Sequence, residues 1–211
     1  MLAMDVSGSM QCGGCVGSPS IQPHVASAAM AMNVEPTDKE QDVQCGGCVG
    51  SPSIQPRVAA AAMAMVTART ENDPQFVAFS QTIVPMNINS NMSLEEVLKA
   101  ASSVAKTNTA EITTSSTDCA QPMIYAQRNN MKIDVFVVYT DCEIGFGSVH
   151  PSEALKQYRE HSGIHDAKLI VVGMTSNGFT IADPEDPGMF DMVGFDSAAP
   201  QVMREFILGN I

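Results

Sequence analysis

Short apolar runs recur along the chain, separated by longer mixed segments, and the two kinds of stretch carry different signals. Leu2 to Asp5, Phe76 to Ser80, Ile133 to Tyr139 and Leu169 to Gly173 read as strands. The run from Ile133 is rich in β-branched residues and bounded by polar ones, which suits a parallel strand buried on both faces. Thr82 to Met86 offers a further short strand able to pair antiparallel with its neighbour. Between these runs lie helix signals. Pro23 to Met32 and Pro56 to Arg69 each place Pro in a first turn, followed by the strong helix formers Ala and Met. Ser93 to Ala105 opens with Ser93 and Glu96 three residues apart, a capping box. Asp118 to Asn129, Pro151 to Glu160 and Pro200 to Leu208 complete the helices, and Lys106 to Ser116, rich in Thr and Ser, reads as a loop. Strands alternating with helices predict an α/β fold, with a mostly parallel sheet covered on both faces.

Composition narrows the setting. At 211 residues and 45% hydrophobic, the chain can bury one substantial core, and residues 1–211 are expected to form one domain. No stretch is long and apolar enough to cross a membrane. The abrupt start at Met1-Leu2-Ala3-Met4 lacks the features of a secretory signal and is expected of a fragment of a longer protein. Six cysteines without such a signal suggest reduced thiols, and a cytoplasmic location is expected. The formal net charge is -12, from 23 acids against 11 scattered bases, which disfavours nonspecific phosphate binding.

Residues 11–32 and 44–65 are near copies. Both open Gln-Cys-Gly-Gly-Cys-Val-Gly-Ser-Pro-Ser-Ile-Gln-Pro and differ at His24 against Arg57 and Ser27 against Ala60. Stable solenoids need at least three units, so two copies read as a tandem duplication inserted after the first strand; a misjoined coding segment would leave the same trace. Chain reach favours Pro56 to Arg69 for the core position ahead of the strand at Phe76, leaving Gln11 to Gln41 peripheral.

The candidate chemistry sits where apolar runs end. Asp5-Val6-Ser7-Gly8-Ser9 follows the first strand, Thr117-Asp118 follows a polar loop, and Thr140-Asp141 ends the run from Ile133. The carboxyl ends of strands are where open α/β sheets bind ligands. Oxygen donors from three separate loops suit Mg²⁺ or Mn²⁺. The ordinary reading of Ser after a strand is a loop or helix-capping hydroxyl, and Asp118 suits a helix-start carboxylate. Cys12, Cys15, Cys45 and Cys48 form two C-x-x-C pairs, a possible zinc set, although duplication already explains why there are four. His161 and His165 flank Gly163, which should end their helix and leave them on the surface. Asp183-Pro184-Glu185-Asp186-Pro187-Gly188 reads as a rigid acidic turn. No nucleophile–base arrangement stands out, and no enzyme activity is expected.

The D-x-S-x-S, Thr, Asp set resembles the metal-ion-dependent adhesion site of von Willebrand factor A domains. The resemblance implies Ser7, Ser9 and Thr117 as direct metal ligands, with Asp5 and Asp141 acting through waters, and a three-layer, Rossmann-like fold. Further segments are similar to the A domain of Ro-type RNA-binding proteins: Lys168 to Pro184, Thr117-Asp118-Cys119 with Pro122-Met123-Ile124, and Asp191-Met192 with Gly194-Phe195-Asp196. That likeness implies a non-catalytic module, a protein ligand donating a carboxylate to the metal, and small noncoding RNA as a partner of the full-length protein. The helical-repeat ring preceding this domain in the family has no counterpart here. An adhesion-type A domain acting through protein partners, and a zinc or redox module on the cysteine pairs, are the alternatives.

Overall fold

The apolar runs become the parallel centre of one six-stranded sheet. The computed structural model describes residues 1–7, 10, 54–80, 82–107, 117–141, 147–174, 181–194 and 198–211. Its strands are β1 (Leu2–Asp5), β2 (Phe76–Phe79), β3 (Ile83–Met86), β4 (Val135–Thr140), β5 (Lys168–Gly173) and β6 (Met189–Val193), in the spatial order β3-β2-β1-β4-β5-β6. All pairings are parallel except β2 with β3. The described helices are α1 (Pro56–Thr70), α2 (Leu94–Thr107), α3 (Gln121–Arg128), α4 (Pro151–Ser162) and α5 (Ala199–Leu208).

Alternation along each central strand divides the core in two. Met4, Ala78, Ile170 and Val172 meet α1, α2 and α5 on one face. Ala3, Val77, Val138, Leu169 and Val171 meet α3 and α4 on the other. Helices on both faces of a mostly parallel sheet give the expected three layers. The helix of the second copy, α1, occupies the connection between β1 and β2, with Ala59, Ala60, Ala61, Met63 and Ala64 buried against the sheet. Small side chains there let the helix approach the strands closely. The first copy's helix, Pro23 to Met32, lies outside the described residues, as do the cysteines at 12, 15, 45, 48 and 142.

Local chemistry sets the helix ends. The capping box forms as read: Ser93 N donates to Glu96 Oε2 (2.7 Å), and Glu96 N donates to Ser93 Oγ (3.3 Å). Gly163 closes α4 at φ 74°, a left-handed conformation that favours glycine. His161 in the preceding turn pairs with Asn130 Oδ1 at 3.0 Å. The helix expected from Asp118 starts later, at Gln121. The Asp118 amide is committed to Ser80 O, and its carboxylate accepts from Ala120 N, so the chain turns before it coils.

At the β3 edge, Ser80 N donates to Thr82 O. The antiparallel register then makes Ala78/Val84 and Phe76/Met86 the hydrogen-bonded pairs and puts Pro85 opposite Val77 in a non-hydrogen-bonded one. Pro85, which lacks an N–H, therefore turns its nitrogen to the open edge, where a strand tolerates proline. Strand β6 is absent from the sequence reading because Asp191 interrupts its apolar run. That carboxylate is satisfied by Ile181 N (2.7 Å) and Ala182 N (3.0 Å), so a polar residue sits mid-strand at the sheet edge. The acidic turn before β6 is tied to α4 by a partly buried pair, Arg159 Nη1 to Asp186 Oδ2 at 2.5 Å, while Arg159 Nε donates to Ala167 O.

Tyr158 fixes the entry to β4. Its fully buried hydroxyl accepts from Ile133 N (2.5 Å) and lies within donating distance of Met131 O (3.0 Å) and Ile133 O (3.1 Å). A single hydroxyl proton serves one carbonyl at a time, but the accepted bond has no substitute. Tyr158→Phe should leave the Ile133 amide buried without its partner, at a cost of about 1–3 kcal/mol. Urea unfolding of the two proteins checks this, with an unchanged midpoint as the contrary result.

Candidate functional site at the carboxyl edge of the sheet

The loops after β1 and β4, and the Thr117 segment, meet at one edge because the parallel register aligns their ends. Asp5 pairs with Phe79 of β2, and Met4 pairs with Tyr139 of β4, so Asp5, Phe79 and Thr140 stand at the same level, with Ser80 one residue beyond. The Thr117 segment is attached to that level by Asp118 N, which donates to Ser80 O at 3.0 Å.

Asp5 is the centre of the arrangement. It is 1% exposed, its Oδ1 accepts from Ser7 N at 2.8 Å, and its Oδ2 accepts from the Thr140 hydroxyl at 2.9 Å. The first bond folds the backbone back over the strand end and the second ties β1 to β4. Burial pushes the Asp5 carboxyl up to about 6. The bonds from Ser7 and Thr140 oppose that rise, and the neighbouring Asp141 charge adds to it. Asp141 is itself 4% exposed and Thr117 2% exposed.

Of the five residues singled out in the sequence, the structure brings Asp5, Ser7 and Asp141 into one neighbourhood and anchors Thr117 to the same edge. Ser9 lies outside the described residues. Ser7 is 4% exposed rather than solvent-facing, as a polar loop residue would be, because the Asp5 carboxylate captures its amide. Sequence reasoning passed over Ser80 and took Thr140 only as the neighbour of Asp141, outside the ligand set. Thr140 ends a β-branched run and reads there as a strand terminus, and only its bond to Asp5 reveals its part. Asp118 behaves as a helix-start carboxylate, accepting from Ala120 N (3.0 Å) and Gln121 Nε2 (2.8 Å). Cys119 is buried.

The donor chemistry fits a hard divalent cation. Two carboxylates are held close together out of water, with hydroxyls of Ser7, Thr117 and Thr140 at the same edge. Buried like charges need a compensating positive charge or a proton, and oxygen donors of this kind suit Mg²⁺ or Mn²⁺. Among the described residues, no three His, Cys, Asp or Glu side chains form a cage of their own. Hydroxyls therefore have to be part of any donor set. Beside this edge a narrow cleft runs between α1 and α2, with Asp5, Ser7, Arg57 and Leu98 among its walls.

The chain is similar to proteins of one family. The family model described as the Ro60 vWA domain matches residues 44–207, which includes Thr117 and Asp141 and starts at the second copy. The RNA-binding protein RO60 of Deinococcus radiodurans is 38% identical over 211 residues, covering 100% of this chain and 32% of that protein. The RNA-binding protein RO60 of Caenorhabditis elegans is 56% identical over 95 residues, 45% of this chain and 15% of that protein. The crystal structure of the Deinococcus radiodurans RO (RSR) protein matches with a TM-score of 0.73 at 37% identity, covering 100% of this chain and 34% of that one. The chain spans less than a third of the length of these curated relatives. No described helix is long and apolar enough to cross a membrane.

The raised carboxyl of Asp5 sets a pH dependence. Its folded value, about 6, lies above the ordinary 3.8, so the folded state binds the proton more tightly than the unfolded chain does. In EDTA, this group should destabilise the protein at pH 7.5, and the penalty should shrink as pH falls through about 6 towards 4. Asp5→Asn should be more stable than the parent at pH 7.5, by roughly 1–3 kcal/mol. The advantage should vanish near pH 4, as followed by denaturant unfolding across that range. A pH-independent difference would show that Asp5 ionisation is not the cause.

Proposed function

The chain belongs to the Ro60 vWA domain family, and from that premise we propose that it is a non-catalytic binding module that depends on a divalent cation, Mg²⁺ or Mn²⁺. Ser7, Ser9 and Thr117 would hold the ion through neutral hydroxyls, and Asp5 and Asp141 through waters. The observation that carries this reading is the burial of Asp5 and Asp141 side by side at the carboxyl edge, with burial the largest cause of the raised Asp5 carboxyl. When bound, the ion supplies Lewis acidity towards a carboxylate of a protein partner. The protein's own part is orientation. Asp5 fixes the Ser7 backbone and the Thr140 hydroxyl, and Asp118 fixes the backbone beside Thr117 through Ser80.

The relatives named RNA-binding proteins support a role in small noncoding RNA binding by the full-length protein. The charge of -12 argues that phosphate contacts belong to the remainder of such a protein rather than to this domain. A cytoplasmic location fits the reduced thiols expected from the sequence.

Addition of Mg²⁺ or Mn²⁺ to EDTA-stripped protein should raise the melting temperature. At a hundredfold excess over Kd the gain is about 2.7 kcal/mol, or roughly 5–10 °C for a domain of this size. Thr117→Val, close in shape but without the hydroxyl, should remove most of that rise. An equal response in the variant would place the ion elsewhere, with the turn at Asp183 to Asp186 the first suspect.

A second expectation concerns RNA. Isolated chain should bind small noncoding RNA at least about tenfold more weakly than the full-length protein at 150 mM salt, because it offers no basic stripe. Mobility shift with the two proteins decides this; equal affinity would put the RNA site on this domain.

A further inference from the structure

A groove between α3 and α4 shares no residue with the cation site. Its volume is about 500 Å³, within the roughly 300–1,000 Å³ of small-ligand pockets. Gln127 and Arg128 of α3, Asn130 of the turn that follows, and Gln157 and His161 of α4 line it. Its walls hold no Asp or Glu, although the chain carries 23 acids against 11 bases.

The walls are fixed by the core beneath them. Helices α3 and α4 share one buried cluster through Met123, Ala126, Leu155 and Tyr158. The Tyr158 hydroxyl holds the turn after α3 at Met131 and Ile133, and Lys132 Nζ donates to Ser162 O at the end of α4. The polar atoms are sorted by the bonds they already make. Asn130 Oδ1 accepts from His161 Nε2 at 3.0 Å, which leaves the Asn130 amide nitrogen as a donor. Gln157 Nε2 donates to Glu153 Oε1 at 3.1 Å, which leaves the Gln157 carbonyl oxygen as an acceptor. Arg128 and His161 add flat, delocalised groups, and Ile124 and Val149 add apolar surface.

A donor and an acceptor beside flat groups match the edge and the face of a nucleobase. Asn and Gln side chains pair with base edges, while guanidinium planes and His rings stack on base faces. We propose that the groove between α3 and α4 takes one unpaired base of a single RNA strand. The inference rests on the RNA role proposed above, and it divides the work: phosphates are held elsewhere in the full-length protein, and this domain reads a base. An acidic peptide fits less well, because its carboxylates would use the donors and leave the Gln157 acceptor without a partner. Arg128, Asn130 and His161 are exposed, so a strand can enter and leave along the groove rather than being enclosed.

The test is titration of the 211-residue chain in EDTA with tetra-adenylate, adenosine and tetraglutamate, followed by NMR of backbone and side-chain amides. Tetra-adenylate should shift the signals of Gln127, Asn130 and Gln157, and adenosine should shift the same signals no more tightly. Raising salt from about 50 to 200 mM should weaken tetra-adenylate by less than about threefold, the loss expected when no more than one phosphate is engaged. Arg128→Lys keeps the charge but loses the plane, and should weaken binding about threefold or more. Asn130→Gly removes the carboxamide at φ 50°, a conformation glycine adopts readily, so binding should weaken likewise with a melting temperature no lower than the parent's.

Parent-like binding in both variants, or shifts confined to other surfaces, overturns the assignment. Tighter binding of adenosine would make the groove a free-nucleoside site, tighter binding of tetraglutamate a peptide site, and a salt loss above about tenfold a phosphate site; each overturns it too. A mobility shift of the full-length protein with small noncoding RNA separates the two readings. Binding there without a groove response removes the groove alone. No binding there removes the RNA role, and the tetra-adenylate titration still decides the groove.

Discussion

A carboxylate held out of water at the end of the central strand is the constraint around which this edge of the molecule is arranged. Asp5 is buried because β1 lies between β2 and β4, so the strand's last side chain has neighbours on both sides. A buried carboxylate must find hydrogen-bond donors, and here they are the Ser7 amide and the Thr140 hydroxyl. One bond sets the path of the chain as it leaves β1, and the other joins the neighbouring strand. The local polar network thus depends on the parallel register, and the register on the apolar alternation that buries both faces of the sheet.

Charge is handled differently elsewhere. The acidic turn before β6 answers its carboxylates with bases: Asp186 with Arg159, and Asp183 with the exposed Lys156. At the carboxyl edge, burial and the neighbouring Asp141 charge both raise the Asp5 carboxyl. A protein that neutralises its acids in one place and gathers them in another spends stability in the second, which is a common mark of a functional site.

Much of this was legible in the residues. The apolar runs gave five of the six strands, and Pro, Ser-x-x-Glu and Gly marked the helix ends at Pro56, Ser93 and Gly163. The D-x-S-x-S stretch marked the right edge of the sheet. What was not legible depends on distant partners. β6 was hidden by Asp191, whose carboxylate is satisfied by amides ten and nine residues earlier. The burial of Ser7 follows from the bond of its amide to Asp5, which its place after a strand does not signal. Ser80 carries no local signal, since its carbonyl is engaged by the distant Asp118 amide. Residues 11–53, which hold the first copy and the start of the second, lie outside the described residues.

The direction of the Pro85 nitrogen has a consequence for how copies of this domain meet. A bare strand edge is a template that a second polypeptide can extend, and β3 would be such a template if all its outward amides were intact. With proline there, an incoming strand finds a ring where it needs a donor, and its ladder is interrupted mid-strand. Sheet-to-sheet fusion along that side is therefore discouraged by a single covalent ring, without any charged residue being required.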